Sequence, residues 1–167
     1  MRSDVELIEA WRRGDADAFE ELYRRHRDWV VTVAYRFCGH REDALDVLQE
    51  TFLYVVKKMP ALELRARFTT FLYPAVKNLA LTRRKKAKRF ASLPANAPEP
   101  FELVGLPDES RELLTGLSGL QREVVALRFI DGLDLKDIAA ALHVPLGTVK
   151  SRLHHALRAL REKTQEE

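Results

Sequence analysis

Apolar residues recur at three- and four-residue steps over most of this chain, the period of helices that bury one side. Phe19, Leu22, Tyr23, His26, Val30, Val33, Ala34 and Phe37 form one such stripe. Asp17 followed by Glu20 reads as its capping-box start, and Gly39-His40 as its end. A second helix has Leu45, Leu48, Phe52, Val55, Val56 and Met59 as its buried face and stops at Pro60. Asp43, Asp46, Glu50 and Lys57 then fall on the opposite face. A third helix is predicted from about Arg67 to Arg89, with Pro74 imposing a kink or a late start.

Periodicity fades after that. Pro94, Pro98, Pro100 and Pro107 lie close together, which reads as a linker. Beyond it the chain is helical again, with breaks at 116–119, 131–132 and 143–145. No strand-like alternation of useful length is present, so the expected fold is all-α. Residues 1–90 would form an N-terminal helical domain, 91–108 a flexible linker, and 109–167 a second helical domain.

The second domain holds the most informative segment, Asp134 to Leu153. Asp134 is placed to cap a short helix whose Ile138, Ala139 and Leu142 face inward. His143 takes the turn position where glycine is usual, and histidine tolerates positive φ better than most residues. Pro145 suits the first turn of the next helix, where an amide would have no partner. In that helix Val149, Leu153, Ala156, Leu157 and Leu160 point to the core, leaving Lys150, Ser151, His154, His155 and Arg158 outside. This is a helix-turn-helix pattern, and short polar and cationic groups near the start of its second helix can reach base edges or phosphates. The competing reading is a solvated face on an ordinary helical hairpin.

Charge sharpens the picture. Lys and Arg total 28 against 25 Asp and Glu, a net +3, but the placement is uneven. Residues 83–89 are nearly all cationic, whereas Glu42, Asp43, Asp46 and Glu50 make an acidic stripe. Two separated patches imply two partners, one of them polyanionic. Cys38 is the single cysteine, which excludes an intrachain disulfide and fits a reducing compartment. No apolar run approaches the roughly 20 residues that span a bilayer, and the N-terminus lacks a signal-peptide core, so a cytoplasmic location is expected. No phosphate-binding glycine loop occurs. His154 and His155 are adjacent rather than spaced as a metal pair, so neither cofactor, metal nor enzymatic activity is expected.

Several motifs together resemble the bacterial extracytoplasmic-function (ECF) sigma factors, which keep only conserved regions 2 and 4. Residues 120–129 (LQREVVALRF), then Asp137-Ile138-Ala139, then 147–154 (GTVKSRLH) are similar to the region 4 domain. Residues 46–53 (DVLQETFL) resemble the polymerase-binding helix of region 2. Residues 68–73 (FTTFLY) with Asn78-Leu79-Ala80 resemble the segment that reads and opens the minus-ten element. The resemblance covers about 15–88 and 109–163.

It implies core RNA polymerase, promoter DNA and an anti-sigma protein as partners. Asp46, Gln49 and Glu50 would face the clamp helices of the polymerase's largest subunit. Phe71 and Asn78 would address the opened minus-ten strand, with Lys85, Lys86, Lys88 and Arg89 neutralising phosphates. Arg128, Lys150, Ser151, His154 and His155 would contact the minus-thirty-five duplex. The chain departs from the family where Phe71 replaces a usual tryptophan, Pro74 a common arginine, Thr82 a frequent aspartate and His155 a frequent arginine. Phe71 read alone also fits a core aromatic, and Asn78 a helix-surface amide. Two rival functions stay open: a stand-alone helix-turn-helix regulator, and a degenerate sigma homologue that binds polymerase or an anti-sigma protein without melting DNA.

Overall fold

The computed structural model describes residues 1–91, 101 and 106–165, and in them every regular element is helical. The chain divides into two compact units, Met1–Pro98 and Glu99–Glu167. Most of the expected linker, 92–100 and 102–105, lies outside the described residues.

The first unit has four helices: α1 (Asp4–Arg12), α2 (Ala16–Cys38), α3 (Arg41–Lys58) and α4 (Phe68–Phe90). Helix α2 packs against the other three, and Leu22, Val30, Val33, Ala34, Val47, Val55, Leu72 and Val76 close the core between them. The left-handed Gly39 (φ 77°) ends α2 as its motif predicts, donating to the Tyr35 carbonyl.

Several expectations need correction. Helix α1 was not anticipated. It is nine residues long, starts at a Ser3/Glu6 capping box and buries Leu7, Ile8 and Ala10. The cap of α2 is Asp15, whose Oδ1 accepts from the Ala18 amide, so the helix begins before the Asp17–Glu20 pair. Asp17 instead sits in the first turn, where its charge favours the helix dipole. The buried face of α3 is turned relative to the apolar pattern. Ala44, Val47 and Thr51 are buried, while Leu45 and Val56 are 40% and 38% exposed. Two neighbours, α2 and α4, cover this helix, so its buried arc is centred between them. Pro74 does not delay α4, which starts six residues before it and runs through it. Burial of Phe68, Thr70, Leu72 and Tyr73 around the proline offsets the lost backbone hydrogen bond.

The second unit contains α5 (Asp108–Thr115), α6 (Gly119–Val125) continued by a π-helical turn (Ala126–Ile130), α7 (Leu135–Leu142) and α8 (Leu146–Gln165). Ser118 and Gln121 form a capping box at the start of α6. Asp134 caps α7, its Oδ1 accepting from the Asp137 amide at 2.8 Å. His143 adopts φ 54° and ψ 43° and makes the turn into α8. Pro145 lies one residue before α8 rather than inside it, and its carbonyl accepts from the Thr148 and Val149 amides. Against expectation, Ala141 rather than Ala139 is the buried alanine of α7, beside Ile138. Val149 and Ala156 are the buried residues of α8, and Leu153, Leu157 and Leu160 are half-buried.

Candidate functional site

Three surfaces carry the residues singled out by sequence. On α3, Asp46 and Gln49 are exposed and Glu50 is half-buried. Spacings of three and four residues put them on one side of the helix, beside the exposed Leu53. Arg83 reaches this acidic face from α4. Its Nη1 donates to Asp46 Oδ2 at 2.9 Å and lies 3.9 Å from Asp43, while Nη2 pairs with Glu50. The hydrogen bond to Glu50 holds the Arg83 guanidinium above its ordinary pKa despite partial burial. The basic run therefore gives up one cation to the acidic stripe, and sequence reading did not assign that role. Arg83 looked like any other member of its run, and only the antiparallel passage of α4 along α3 brings it to Asp46 and Glu50.

Along α4, Phe71, Asn78, Lys85 and Arg89 follow one another at seven- and four-residue steps and share one face. Asn78, Lys85, Lys86 and Arg89 are exposed and Lys88 is half-buried. The backbone carbonyl of Asn78 accepts the Thr82 hydroxyl at 2.8 Å, so this bond does not occupy the amide side chain. Phe71 is half-buried. It stacks between Phe68 (ring centroids 5.9 Å apart, planes at 25°) and Tyr54 of α3 (5.9 Å, 17°). Its ring therefore packs against two aromatic neighbours and also reaches the surface. Tyr54 is a second residue the sequence reading missed. Its signal was weak, because one tyrosine among apolar positions of α3 looks like packing.

On α8, Lys150, Ser151, His154 and His155 are all exposed near the start of the helix. The two imidazoles lie edge to face, with centroids 5.7 Å apart. Arg158, one turn on, is tied to Glu162 at 2.9 Å. Arg128 is exposed in the π-helical turn, and its Nη1 donates to the Leu133 carbonyl at 3.0 Å. That bond fastens the loop entering α7 and leaves further guanidinium donors for a ligand.

Other chemistry is quiet. Burial pushes the Cys38 thiol up, and it donates to the His40 carbonyl, so it is not a reactive thiolate. Among the described residues no cluster of His, Cys, Asp or Glu could hold a metal ion, and no helix is long and apolar enough to cross a membrane.

Comparison with known proteins joins these surfaces. The sigma-70 region 2 family matches residues 22–90, and sigma-70 region 4 matches 108–160. Among curated relatives, the ECF RNA polymerase sigma factor SigW of Bacillus subtilis (strain 168) is 27% identical over 178 residues, covering 95% of each chain. The ECF RNA polymerase sigma factor SigE of Mycolicibacterium smegmatis is 34% identical over 157 residues, 87% of this chain and 61% of the relative. The chain belongs to the ECF sigma factors.

The fold of this sigma factor agrees with solved structures. CnrH, in complex with the cytosolic domain of CnrY, aligns with a TM-score of 0.68 at 21% identity, covering 96% of each chain. The sigma factor RpoE of Bartonella quintana, in complex with the anti-sigma factor NepR, aligns at 0.65 and 22% identity, covering 88% of this chain and 96% of RpoE. In this sigma factor α2, α3 and α4 make up region 2, and α5 to α8 make up region 4.

Proposed function

We propose that this sigma factor binds core RNA polymerase through the outer face of α3, opens the minus-ten element with α4 and reads the minus-thirty-five duplex with α8. Residues 1–90 and 109–167 divide these tasks, with 91–108 as the connection. The observation that carries the reading is the single face of α4 on which an aromatic ring, an amide and cations follow in order. A ring replaces stacking lost by an unpaired base, an amide addresses an exposed base edge, and cations neutralise the adjoining phosphates. The four exposed residues of α8 supply donors and acceptors of the kind that duplex readout requires. The role is binding rather than catalysis, and it belongs in the cytoplasm, with the polymerase and the chromosome. An anti-sigma protein is the further partner, in keeping with relatives solved in such complexes.

The test is transcription by purified core polymerase with this chain, on linear duplex and on templates with a preformed bubble. Phe71→Ala and Asn78→Ala should bind polymerase normally yet lose permanganate-reactive open complex on duplex. A bubble should restore Phe71→Ala more than Asn78→Ala, because the amide still reads its base after the strands part. Polymerase binding by the wild type without any permanganate reactivity would assign the chain to sigma homologues that do not melt DNA.

A further inference from the structure

Tyr54 extends the aromatic column of α4 onto a different helix. Phe68 at its base is 1% exposed, whereas Phe71 and Tyr54 are only half-buried and reach the surface. The two contacts in this column are near parallel, at 25° and 17°. Neighbouring pairs in the same unit meet edge-on instead: Phe19 with Phe52 at 82°, Tyr23 with Phe52 at 71°, and His26 with Phe68 at 64°. Parallel rings present flat faces, and a flat face at the open end of a column is what an unstacked base can join. Lys58, one turn after Tyr54 on α3, holds its ammonium 5.7 Å from the centroid of the Tyr54 ring. A cation over a ring that reaches the surface is only weakly held, so it is readily exchanged for a phosphate.

We propose that Tyr54 and Lys58 form a subsite for one unpaired nucleotide of the opened promoter strand. The base stacks on Tyr54, and Lys58 swings from the ring to the neighbouring phosphate. Phe71 then acts as the backing ring that holds Tyr54 flat. Phe71 keeps its role in opening the strands, and because Phe68 and Tyr54 flank it, the column that it centres ends in Tyr54, where the base stacks. The inference rests on the promoter-opening reading of α4 and adds a residue pair from α3 to it.

The experiment uses the full chain with core polymerase on bubble templates carrying 2-aminopurine at one unpaired position at a time. Stacking quenches this base. One position should be dark with wild type and Tyr54→Phe, and several-fold brighter with Tyr54→Leu, which keeps apolar bulk without a ring. Open complex should lose about 5- to 150-fold in stability with Tyr54→Leu, the span expected for one stacked base. Lys58→Gln should flatten the salt dependence of template binding and leave the quenching in place. Photocrosslinking of 5-iodouracil at the dark position should capture Tyr54 in the unaltered chain, a readout that needs no variant to fold. If wild type forms the complex but no position responds to Tyr54→Leu and no crosslink maps to Tyr54, the subsite does not exist. If Tyr54→Leu weakens core-polymerase affinity and leaves 2-aminopurine unchanged, Tyr54 belongs to the polymerase face and the proposal is overturned. Failure of wild type to engage the template at all would instead overturn the promoter-opening reading.

Discussion

Arg83 Nη1 stands 2.9 Å from Asp46 Oδ2, joining the cationic run of α4 to the acidic face of α3. The pair is partly exposed on both sides, at 29% for Arg83 and 52% for Asp46, so its direct contribution to stability is of the order of 0–1 kcal/mol. Its consequence is geometric. Asp43, Asp46 and Glu50 lie on successive turns and repel one another, and a single guanidinium among them keeps the carboxylates in place. Each carboxylate has two oxygens and so keeps acceptor capacity for a basic partner.

This arrangement dictates how the polymerase face should be tested. Reversing charge at Asp46 and Glu50 would set two cations against Arg83 and confuse docking with folding. The neutral double variant Asp46→Asn/Glu50→Gln avoids that clash. It should weaken core-polymerase affinity by about 2–5 kcal/mol if the carboxylates are close interfacial partners, and far less if they sit at a rim. Arg83→Gln, which keeps both acids, should change affinity by less than about 1 kcal/mol. Titration of labelled core polymerase measures both. Unchanged affinity in the double variant would remove these residues from the interface.

Duplex readout rests on the start of α8. Alanine at whichever of Lys150, Ser151, His154 and His155 meets a base edge should relax preference at particular minus-thirty-five positions by about 1–3 kcal/mol. Alanine at a phosphate contact should weaken all sequences alike and lower the slope of affinity against salt. Arg128→Ala has an additional expected effect. It removes the bond to the Leu133 carbonyl, so the loop entering α7 should exchange its amides faster than in wild type. Binding assays across single-base promoter variants at two salt concentrations distinguish these outcomes. If none of the four α8 substitutions changes either property, the helix faces something other than DNA.

Much of this was legible in the chain. The seven-residue spacing of Phe71, Asn78 and Lys85 marks one face of α4 whatever surrounds the helix, because helical period alone decides it. Asp134, His143 and Val149 were equally readable, since caps, positive-φ turns and apolar spacing act locally. Misread features depended on neighbours. Leu45 and Val56 look like core by hydropathy, yet α2 and α4 cover α3 from a slightly different direction and leave both partly exposed. The spacing of Asp17 to Glu20 fits a capping box, whereas the chain turns into α2 at Asp15. Arg83 and Tyr54 required the packing of α3 on α4, which no local pattern encodes.

His143 offers a separate stability test. Its left-handed conformation costs an L-residue roughly 1–2 kcal/mol, and glycine avoids that cost while losing about 0.5–1 kcal/mol in backbone entropy. His143→Gly should therefore be neutral to stabilising, by up to about 1.5 kcal/mol. His143→Val, β-branched and unsuited to positive φ, should destabilise the second unit. Hydrogen exchange at the amides of α7 in increasing urea reads the effect within that unit. Equal stability of the glycine and valine variants would mean the turn adopts another conformation in solution.

Asp4 predicts how the first unit responds to acid. Burial raises its pKa, but the His26 Nε2–H donor, 3.0 Å away, and the Arg25 Nη1 donor, at 2.7 Å, outweigh burial and hold it below the usual aspartate range. A carboxyl depressed on folding contributes its full stabilisation above its unfolded pKa, near 4, and loses it as pH falls through the folded value. The contact joins α1 to α2, so the loss should appear as weaker docking of α1. Glu6 and Asp15 are also depressed, by the Ser3 amide and by Arg2 respectively, and would blur a simple acid titration. Both are solvent-exposed, however, and a comparison with Asp4→Asn cancels their contribution. At neutral pH the variant should be less stable than wild type by about 1.5–3 kcal/mol, the range for a hydrogen bond to a charged group. That gap should persist down to about pH 4 and close below it, as wild-type Asp4 takes up the proton that the amide cannot mimic losing. Urea unfolding of both proteins across this pH series, with exchange at the α1 amides as the local probe, provides the measurement. A gap that stays constant below pH 4 would mean that the asparagine disturbs packing and that the Asp4 charge does not hold α1 in place.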